Sequence, residues 1–235
     1  MNKKIKIAIV IVFLLILGYG IFYLADYNHA EKTATDMLNG TSNVSVVKTS
    51  NGLFLDGSGN DSAVIFYPGG KVEYTSYLPM LINLANRGID CYLVEMPFNI
   101  AFFGQNSADS IMNNSSYDHY FIAGHSLGGV VASAYVNATN NTDGVILLAA
   151  YPTEKISKPV LSVYGSNDNA LNKVKYEAAK PLIKGNFTEV IIKGGNHAQF
   201  AYYGNQSGDG KANITAENQQ NQTVDAIINF IKVNS

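Results

Sequence analysis

The sequence predicts one α/β domain with a mostly parallel central sheet and helices on both faces, preceded by one N-terminal transmembrane helix. Short β-branched or apolar runs alternate with amphipathic segments from residue 62 onward, as in a parallel sheet with crossover helices. One run breaks at a Gly-x-Ser-x-Gly turn and continues as a small-residue segment. An uncharged apolar run over residues 7–25 stands apart from this alternation. The remainder, about 200 residues, is enough for one well-buried domain.

Residues 1–27 are predicted to form a membrane anchor. Three lysines precede the apolar run, whose 19 or so helical residues span about 28 Å, close to the hydrocarbon thickness of a bilayer. Lysines on this flank favour a cytoplasmic N-terminus, which places the remaining chain outside the membrane. A cleaved signal peptide is the competing interpretation. Its apolar core is usually shorter and ends at a small-x-small site, whereas Tyr23 stands two residues before Ala25.

Residues 28–61 are predicted to form a short polar stalk and an opening antiparallel hairpin around the turn at residues 50–52. Residues 62–235 are predicted to form the α/β domain itself. Its predicted strands cover residues 62–67, 90–95, 119–123, 144–149, 159–164 and 187–193. Its predicted helices cover residues 74–87, 107–114, 127–138, 170–182 and 215–233. Apolar residues at helical spacing support the first and last of these, at Leu78, Leu81 and Ile82, and at Val224, Ile227, Ile228 and Ile231.

Ser126 is the candidate nucleophile, because it lies in the turn between the 119–123 strand and the 127–138 helix. A sharp strand-to-helix turn projects a serine hydroxyl above the edge of the sheet. Gly124 and Gly128 lack the side chains that would collide in so tight a turn.

His197 is the candidate base by elimination among the four histidines, His29, His119, His125 and His197. His29 follows the apolar segment, His119 stands at the opposite end of the 119–123 strand, and His125 lies within the turn itself. His197 follows a β-branched run, in a loop at the carboxyl end of a strand, where open α/β sheets bind ligands.

Asp168 is the candidate acid that orients the imidazole. The acidic residues between Ser126 and His197 are Asp143, Glu154, Asp168, Glu177 and Glu189. Only Asp168 directly follows a buried-strand pattern, in the loop 166–169. The chain order Ser126, Asp168, His197 is that of one known class of triad enzymes. A role for Asp168 as a helix cap is the alternative.

Composition excludes several classes of function. The net charge is −2 and no basic stripe is present, which argues against nucleic-acid binding. Cys91 is the only cysteine, so no intramolecular disulfide forms, and four scattered histidines predict no metal site. No cofactor motif is present: the Gly-Gly-Lys at residues 69–71 lacks the spacing of a P-loop. We expect a bacterial monomer.

These motifs together resemble the α/β-hydrolase family, and most closely its small, lid-poor, dienelactone-hydrolase-like branch. The resemblance covers about residues 62–233, and its carriers are residues 67–70, 124–129, 164–168 and 195–197. It implies the α/β-hydrolase fold and a serine-hydrolase mechanism. Dienelactone hydrolases proper use a cysteine nucleophile where this chain has Ser126, so their substrate is not transferred. Many relatives also have His-Gly where this chain has Pro68-Gly69.

An acyl-transfer enzyme must stabilise a negative oxygen on its tetrahedral intermediate. One donor is the backbone N–H of the residue after the nucleophile, here Leu127, and the second comes from a loop after an earlier strand. Gly70 is the candidate for the second, with Lys71 as its alternative.

Residues 151–159 leave no room for a lid domain, which predicts an open site. Aromatic side chains in the loops around it are the candidates for substrate binding, although the same side chains would also serve to close the core. The candidates are Phe98, Phe102, Phe103 and Tyr202.

The expected function is ester hydrolysis outside the cell membrane, acting on a small-molecule or lipid-like ester through an acyl-enzyme. A thioesterase, a lipase, a cell-wall peptidase or an acyltransferase fits the same residues. A non-catalytic surface binding module on this fold is the alternative from a different class.

Overall fold

The computed structural model describes residues 2–235, and of Ile21 the backbone only. Met1, the first residue of the predicted anchor, lies outside the described residues. Helix α1 spans Lys3–Ala25, and α2 (Lys32–Thr35) is followed by a 3₁₀ turn. The remaining helices are α3 (Leu78–Asn86), α4 (Ser107–Asn113), α5 (Leu127–Ala138), α6 (Lys173–Ala179) and α7 (Ala216–Asn234).

Eight strands form one sheet. They are β1 (Ser45–Thr49), β2 (Gly52–Asp56), β3 (Ser62–Tyr67), β4 (Asp90–Val94), β5 (His119–His125), β6 (Gly144–Leu148), β7 (Val160–Gly165) and β8 (Phe187–Ile192). Their order is β1-β2-β4-β3-β5-β6-β7-β8. From β4 to β8 all neighbours are parallel, whereas β1 pairs antiparallel with β2 and β2 pairs antiparallel with β4. The predicted fold class is confirmed.

Alternating side chains along the strands bury both faces of this sheet. In β3, Val64 and Phe66 belong to one core cluster, which α3 and α7 cover. Ile65 and Tyr67 belong to the other, which α4 and α5 cover. Strands buried on both faces are typical of parallel sheets between helices, and explain why the strands read as continuous apolar runs.

Residue 61 is not a structural boundary, contrary to the sequence-based division. The predicted hairpin forms, but β2 pairs with β4, so the hairpin is the edge of the same sheet. The predicted stalk packs on the domain too, since Ala34 is fully buried. The sequence predicts a stalk here because the segment is polar and its few apolar residues are not periodic.

Two predicted helices are shorter than expected. The predicted 74–87 helix begins as a 3₁₀ turn, Tyr74–Tyr77, before α3. The predicted 170–182 helix begins only at Lys173, because Asn172 is its N-cap and accepts a hydrogen bond from the Lys175 N–H. The residues between β6 and β7 form a short connection without a helix or strand, as predicted.

Helix α1 is long and apolar enough to cross a membrane, and its most apolar stretch is not buried by the rest of the described chain. A signal sequence near the N-terminus has the same length and composition. Its C-terminal end contacts the 3₁₀ turn Pro97–Asn99 that follows β4.

Candidate active site

The loops that carry the candidate residues meet at the carboxyl edge of the parallel sheet. The register pairs Tyr67 of β3 with Gly124 of β5, and Gly165 of β7 with Ile192 of β8. The segments that follow these strands therefore leave the sheet side by side. This is the edge at which open α/β sheets bind ligands.

Ser126 lies in a strained turn between β5 and α5. Its φ of 51° and ψ of −119° are unusual for a residue other than glycine. A Cβ at Gly124 would lie 2.4 Å from the backbone carbon of Gly128. A Cβ at Gly128 would lie 2.2 Å from the Tyr67 carbonyl oxygen. Only glycine fits at both positions, so the Gly-x-Ser-x-Gly pattern is a packing requirement of the turn.

Asp168 and His197 form a buried hydrogen-bonded pair. The imidazole Nδ1–H donates to Asp168 Oδ2 at 2.9 Å, and both side chains are buried. Their loops touch, because a Cβ at Gly165 would lie 2.2 Å from the backbone carbon of Gly195. An imidazole held through Nδ1 presents Nε2 to a substrate as an acceptor of protons.

The second oxygen of Asp168 fixes the carboxylate in its loop. Oδ1 accepts hydrogen bonds from the backbone N–H groups of Ala170 at 2.9 Å and Leu171 at 2.7 Å. The alternative role, as cap of the following helix, belongs to Asn172 instead. The turn at Asp168 orients the carboxylate toward His197.

Ser126 is next in the chain to a residue that contacts this pair. The ring of His125, its neighbour in the chain, has its centroid 4.6 Å from that of His197. The Ser126 hydroxyl makes no hydrogen bond within the described residues. Catalytic hydrogen bonds are often long in unliganded enzymes and tighten when a substrate binds.

Two other histidines and one other acid have partners outside this pair. His29 Nδ1 lies 3.3 Å from Glu73, and His119 Nδ1 lies 3.5 Å from Asp143. Glu189 accepts hydrogen bonds from Tyr176 and Lys180, and these lower its pKa against the opposing effect of burial, which is the largest single contribution. Among the described residues, Asp168 is therefore the buried acid at the carboxyl edge, and His197 is the histidine that pairs with it.

The two predicted oxyanion donors belong to residues that lie side by side. A Cβ at Gly70 would lie 2.8 Å from Leu127 Cδ2, so the two residues are adjacent. In the described chain, the N–H groups of Gly70 and Leu127 have no acceptor within hydrogen-bond reach. The neighbouring donors are engaged: Gly69 N–H donates to the Tyr77 hydroxyl at 3.0 Å and Lys71 N–H to the Asn99 carbonyl at 2.7 Å. This pattern favours Gly70 over Lys71.

Sequence reasoning missed a buried hydrogen-bond chain between two parts of the site. It joins residues 68–71, the oxyanion loop, to the turn at residues 124–128 that carries Ser126, the elbow. The Tyr77 hydroxyl accepts from Gly69 N–H and shares a hydrogen bond of 2.8 Å with His125 Nδ1. Burial, and secondarily the nearby His197, lowers the pKa of His125 well below its ordinary value. His125 is therefore neutral. No local pattern marks Tyr77, which lies 48 residues before its partner in the chain.

A neutral buried His125 predicts a loss of stability in acid. The unfolded chain binds a proton at this histidine below about pH 6.5, whereas the folded chain does not until a much lower pH. The free energy of unfolding should therefore fall as pH decreases below about 6.5, by up to about 1.4 kcal/mol per pH unit from this group. Denaturant unfolding, followed by circular dichroism at several pH values between about 7.5 and about 5, measures this slope.

His125→Gln should flatten this slope relative to the wild-type chain. His29→Gln is the matched control, because His29 is mostly exposed and its removal should leave the slope in place. Equal slopes in the wild-type and His125→Gln chains would contradict a neutral buried histidine.

A cavity of about 290 Å³ opens at Ser126. Its lining residues are Asn28, Gly69, Gly70, Lys71, Val72, His125, Ser126, Gln206 and Ser207. Asn28 directly follows the predicted anchor, and no sequence pattern marked it.

Phe98, Phe102 and Phe103 lie on the loop after β4 at the same edge, but they are exposed and do not line this cavity. Tyr202 lines a separate cavity with α7 residues. Substrate binding by these four stays a prediction.

Metal and thiol chemistry find no support in the described part of the chain. No group of three His, Cys, Asp or Glu side chains there is placed to hold a metal ion. Cys91 is buried in β4, and burial raises the pKa of its thiol well above the ordinary value. A neutral buried thiol is a packing group.

The chain is similar to known hydrolases in sequence pattern and in fold. A model of the alpha/beta hydrolase family matches residues 63–221. A ferulic acid esterase from Streptomyces cinnamoneus superposes with a TM-score of 0.59 at 18% identity, over 74% of this chain and 67% of that one. No curated protein matches the chain.

Two further esterases share the fold. Est1E from Butyrivibrio proteoclasticus gives a TM-score of 0.54 at 14% identity, covering 81% of this chain and 100% of that one. A thermophilic esterase from Thermogutta terrifontis gives 0.55 at 15%, covering 80% and 90%. At such identities the likeness shows the fold alone.

Proposed function

This chain belongs to the alpha/beta hydrolase family, and we propose that it is a membrane-anchored serine hydrolase that cleaves carboxylic esters outside the cell. Ser126, His197 and Asp168 act as its triad. The observation that carries the proposal is the buried Asp168–His197 hydrogen bond of 2.9 Å at the sheet edge where the elbow serine lies. The N–H groups of Gly70 and Leu127, which have no acceptor in the described chain, also support the proposal.

The reaction proceeds through an acyl-enzyme. Ser126 Oγ attacks the ester carbonyl while His197 Nε2 takes the hydroxyl proton, and Asp168 stabilises the resulting imidazolium. The N–H groups of Gly70 and Leu127 donate to the developing oxyanion. His197 then gives its proton to the leaving alcohol. In the second half, water loses a proton to the same nitrogen and attacks the acyl carbon, which releases the acid and restores Ser126.

A carboxylic ester is the substrate class favoured by the comparisons. The similar solved structures include a ferulic acid esterase and two further proteins described as esterases or named Est. The cavity at Ser126 is open and small, which suits a substrate that inserts only its ester group and an adjacent part of its acyl chain.

Helix α1 anchors the domain in the cell membrane with its N-terminus in the cytoplasm. The lysines in the first turns of the helix and the uninterrupted apolar run that follows them support this topology. Protease added to intact cells should digest the domain and spare a small N-terminal fragment. Complete protection of the domain until the cells are lysed would reverse the topology, and release of the domain into the medium would identify α1 as a cleaved signal.

Hydrolysis of p-nitrophenyl esters of increasing acyl length by the detergent-solubilised full chain tests the activity. We expect turnover that rises or falls smoothly with acyl length, because the acyl group contacts the cavity at Ser126. p-Nitrophenyl phosphate is the control substrate, and it should not react. No turnover of any carboxylic ester, together with no covalent reaction with a fluorophosphonate, would move the assignment to a non-catalytic binding module.

A further inference from the structure

The loop after β4, residues 96–108, carries an unusual apolar surface and is called the phenylalanine loop below. Phe98, Phe102 and Phe103 are 58%, 58% and 62% exposed. The rings of Phe98 and Phe103 pack edge to face, with centroids 5.7 Å apart, so the surface is ordered. Residues 96–108 contain no Asp, Glu, Lys or Arg. Exposed apolar patches of this kind mark interaction sites with proteins or membranes.

This surface lies against the end of α1. The helix contacts the 3₁₀ turn Pro97–Asn99, which begins the same loop. Lys71 ties the two together. Its backbone N–H donates to the Asn99 carbonyl at 2.7 Å, and its ammonium group lies 2.9 Å from the Asp26 carboxylate and 4.3 Å from the centre of the Tyr23 ring. Lys71, a residue of the oxyanion loop, thus contacts both the phenylalanine loop and the end of α1.

Asn28 fixes the catalytic cavity at a short distance from the helix. Its backbone N–H donates to the Lys71 carbonyl at 2.8 Å, and its carbonyl accepts from Glu73 N–H at 2.9 Å. Its side chain donates to the same Lys71 carbonyl at 3.2 Å, and Asn28 lines the cavity of Ser126. Asn28 is three residues after Ala25, the last residue of α1. Three residues span at most about 10 Å, so the cavity wall lies within that distance of the helix end.

The backbone here is held in sparsely populated conformations. Lys71, Phe98 and Asn99 have φ values of 58°, 57° and 54°. Non-glycine residues in this region persist where the surrounding contacts fix them, and they cluster at functional sites. All three belong to the oxyanion loop and the phenylalanine loop, so this junction is built to hold one arrangement.

From this arrangement we infer that the phenylalanine loop docks on the bilayer in which α1 is embedded, and that the substrate is an acyl ester dissolved in that leaflet. The inference rests on the proposed function and deepens it. A helix that ends at the interface brings the cavity wall to the headgroup region. Phenylalanine side chains enter the boundary between headgroups and acyl chains readily, and an uncharged loop adds no cost of burying charge there. The ester then reaches Ser126 without first leaving the membrane.

A bilayer explains these observations better than a protein partner does. The surface continues directly from the membrane-spanning helix, and the three-residue connection leaves little room between them for another protein. Its lack of charged residues also removes the polar rim that a specific protein interface usually has.

Docking is tested by placing a single tryptophan in the full chain, which has none of its own. Phe102→Trp and Phe103→Trp are the test variants. Phe187→Trp is the matched control, because Phe187 is partly exposed on β8 at the other edge of the sheet. Each is reconstituted into phosphatidylcholine vesicles with brominated acyl chains. The two test tryptophans should lose most of their emission, and the control should keep it. Emission that is lost equally, or kept equally, at all three positions would overturn docking.

The substrate class is tested by a ratio of rates. A long-chain fluorogenic ester dissolved in the vesicles is compared with water-soluble p-nitrophenyl acetate. The double variant Phe102→Ser/Phe103→Ser should lower the ratio of vesicle-ester to acetate turnover about tenfold, because the apolar contact with the leaflet is lost. Phe187→Ser should leave the ratio unchanged. An unchanged ratio in the double variant would overturn membrane delivery of the substrate.

The two failures are distinguishable. If the wild-type chain hydrolyses neither ester, the proposed function fails, whatever the tryptophans report. If it hydrolyses acetate but not the vesicle ester, the enzyme assignment stands and the membrane-resident substrate is wrong.

Discussion

Ser126→Ala should reduce ester turnover about 10⁵-fold, since removing the nucleophile of a serine hydrolase leaves only binding and oxyanion stabilisation. The fold should be unaffected. The Ser126 hydroxyl makes no hydrogen bond within the described residues, and this chain already holds an alanine at a positive φ, Ala149 with a φ of 49°. Steady-state hydrolysis of the best p-nitrophenyl ester measures the loss.

Ser133→Ala is the matched control for this substitution. Ser133 lies two turns along α5, where its hydroxyl donates to the Val130 carbonyl at 2.8 Å, away from the cavity. Its replacement should leave turnover near the wild-type rate. Turnover by Ser126→Ala within a few-fold of the wild-type rate would mean that another group is the nucleophile.

Asp168→Asn should reduce turnover about 10⁴-fold while the chain stays folded. The asparagine oxygen still accepts from the N–H groups of Ala170 and Leu171, so the loop keeps its turn. The amide NH₂ then faces His197 Nδ1, which must accept rather than donate. That moves the imidazole proton to Nε2, where it blocks removal of the Ser126 proton. The turnover number and the thermal unfolding midpoint are both measured.

Asp143→Asn controls for loss of a carboxylate. Asp143 accepts from the Tyr120 N–H at 2.9 Å near the amino-terminal end of β5, the opposite edge of the sheet from Ser126. It should retain turnover. Activity loss in Asp143→Asn equal to that in Asp168→Asn, or a large fall in the unfolding midpoint of Asp168→Asn, would indicate a structural role for Asp168.

The parts of this molecule that the sequence predicts are those specified by local patterns. The strands from β3 to β8 are apolar runs with turn residues between them, and the elbow at Ser126 requires small residues at fixed positions. Asp168 and His197 each follow a strand, and parallel strands place their carboxyl ends at one edge. Their pairing therefore follows from topology once the strands are assigned.

The parts that escape prediction depend on contacts between distant segments. The Tyr77–His125 hydrogen bond joins residues 48 positions apart, and a tyrosine in a 3₁₀ turn carries no signal of its buried partner. The bonds between Asn28 and Lys71 link residues 43 positions apart. Polar residues in such bonds have the same composition as solvent-exposed loops, which is why the segment before β1 reads as a stalk.

Covalent labelling of the detergent-solubilised full chain with a fluorophosphonate, followed by peptide mass spectrometry, tests the central claim most directly. The reagent reacts with a serine only where a base and an oxyanion hole activate it. We expect one adduct, on the peptide that contains Ser126, and a much slower reaction in Asp168→Asn. No adduct, or an adduct on a different residue, would contradict the assignment of Ser126 as the nucleophile of this hydrolase.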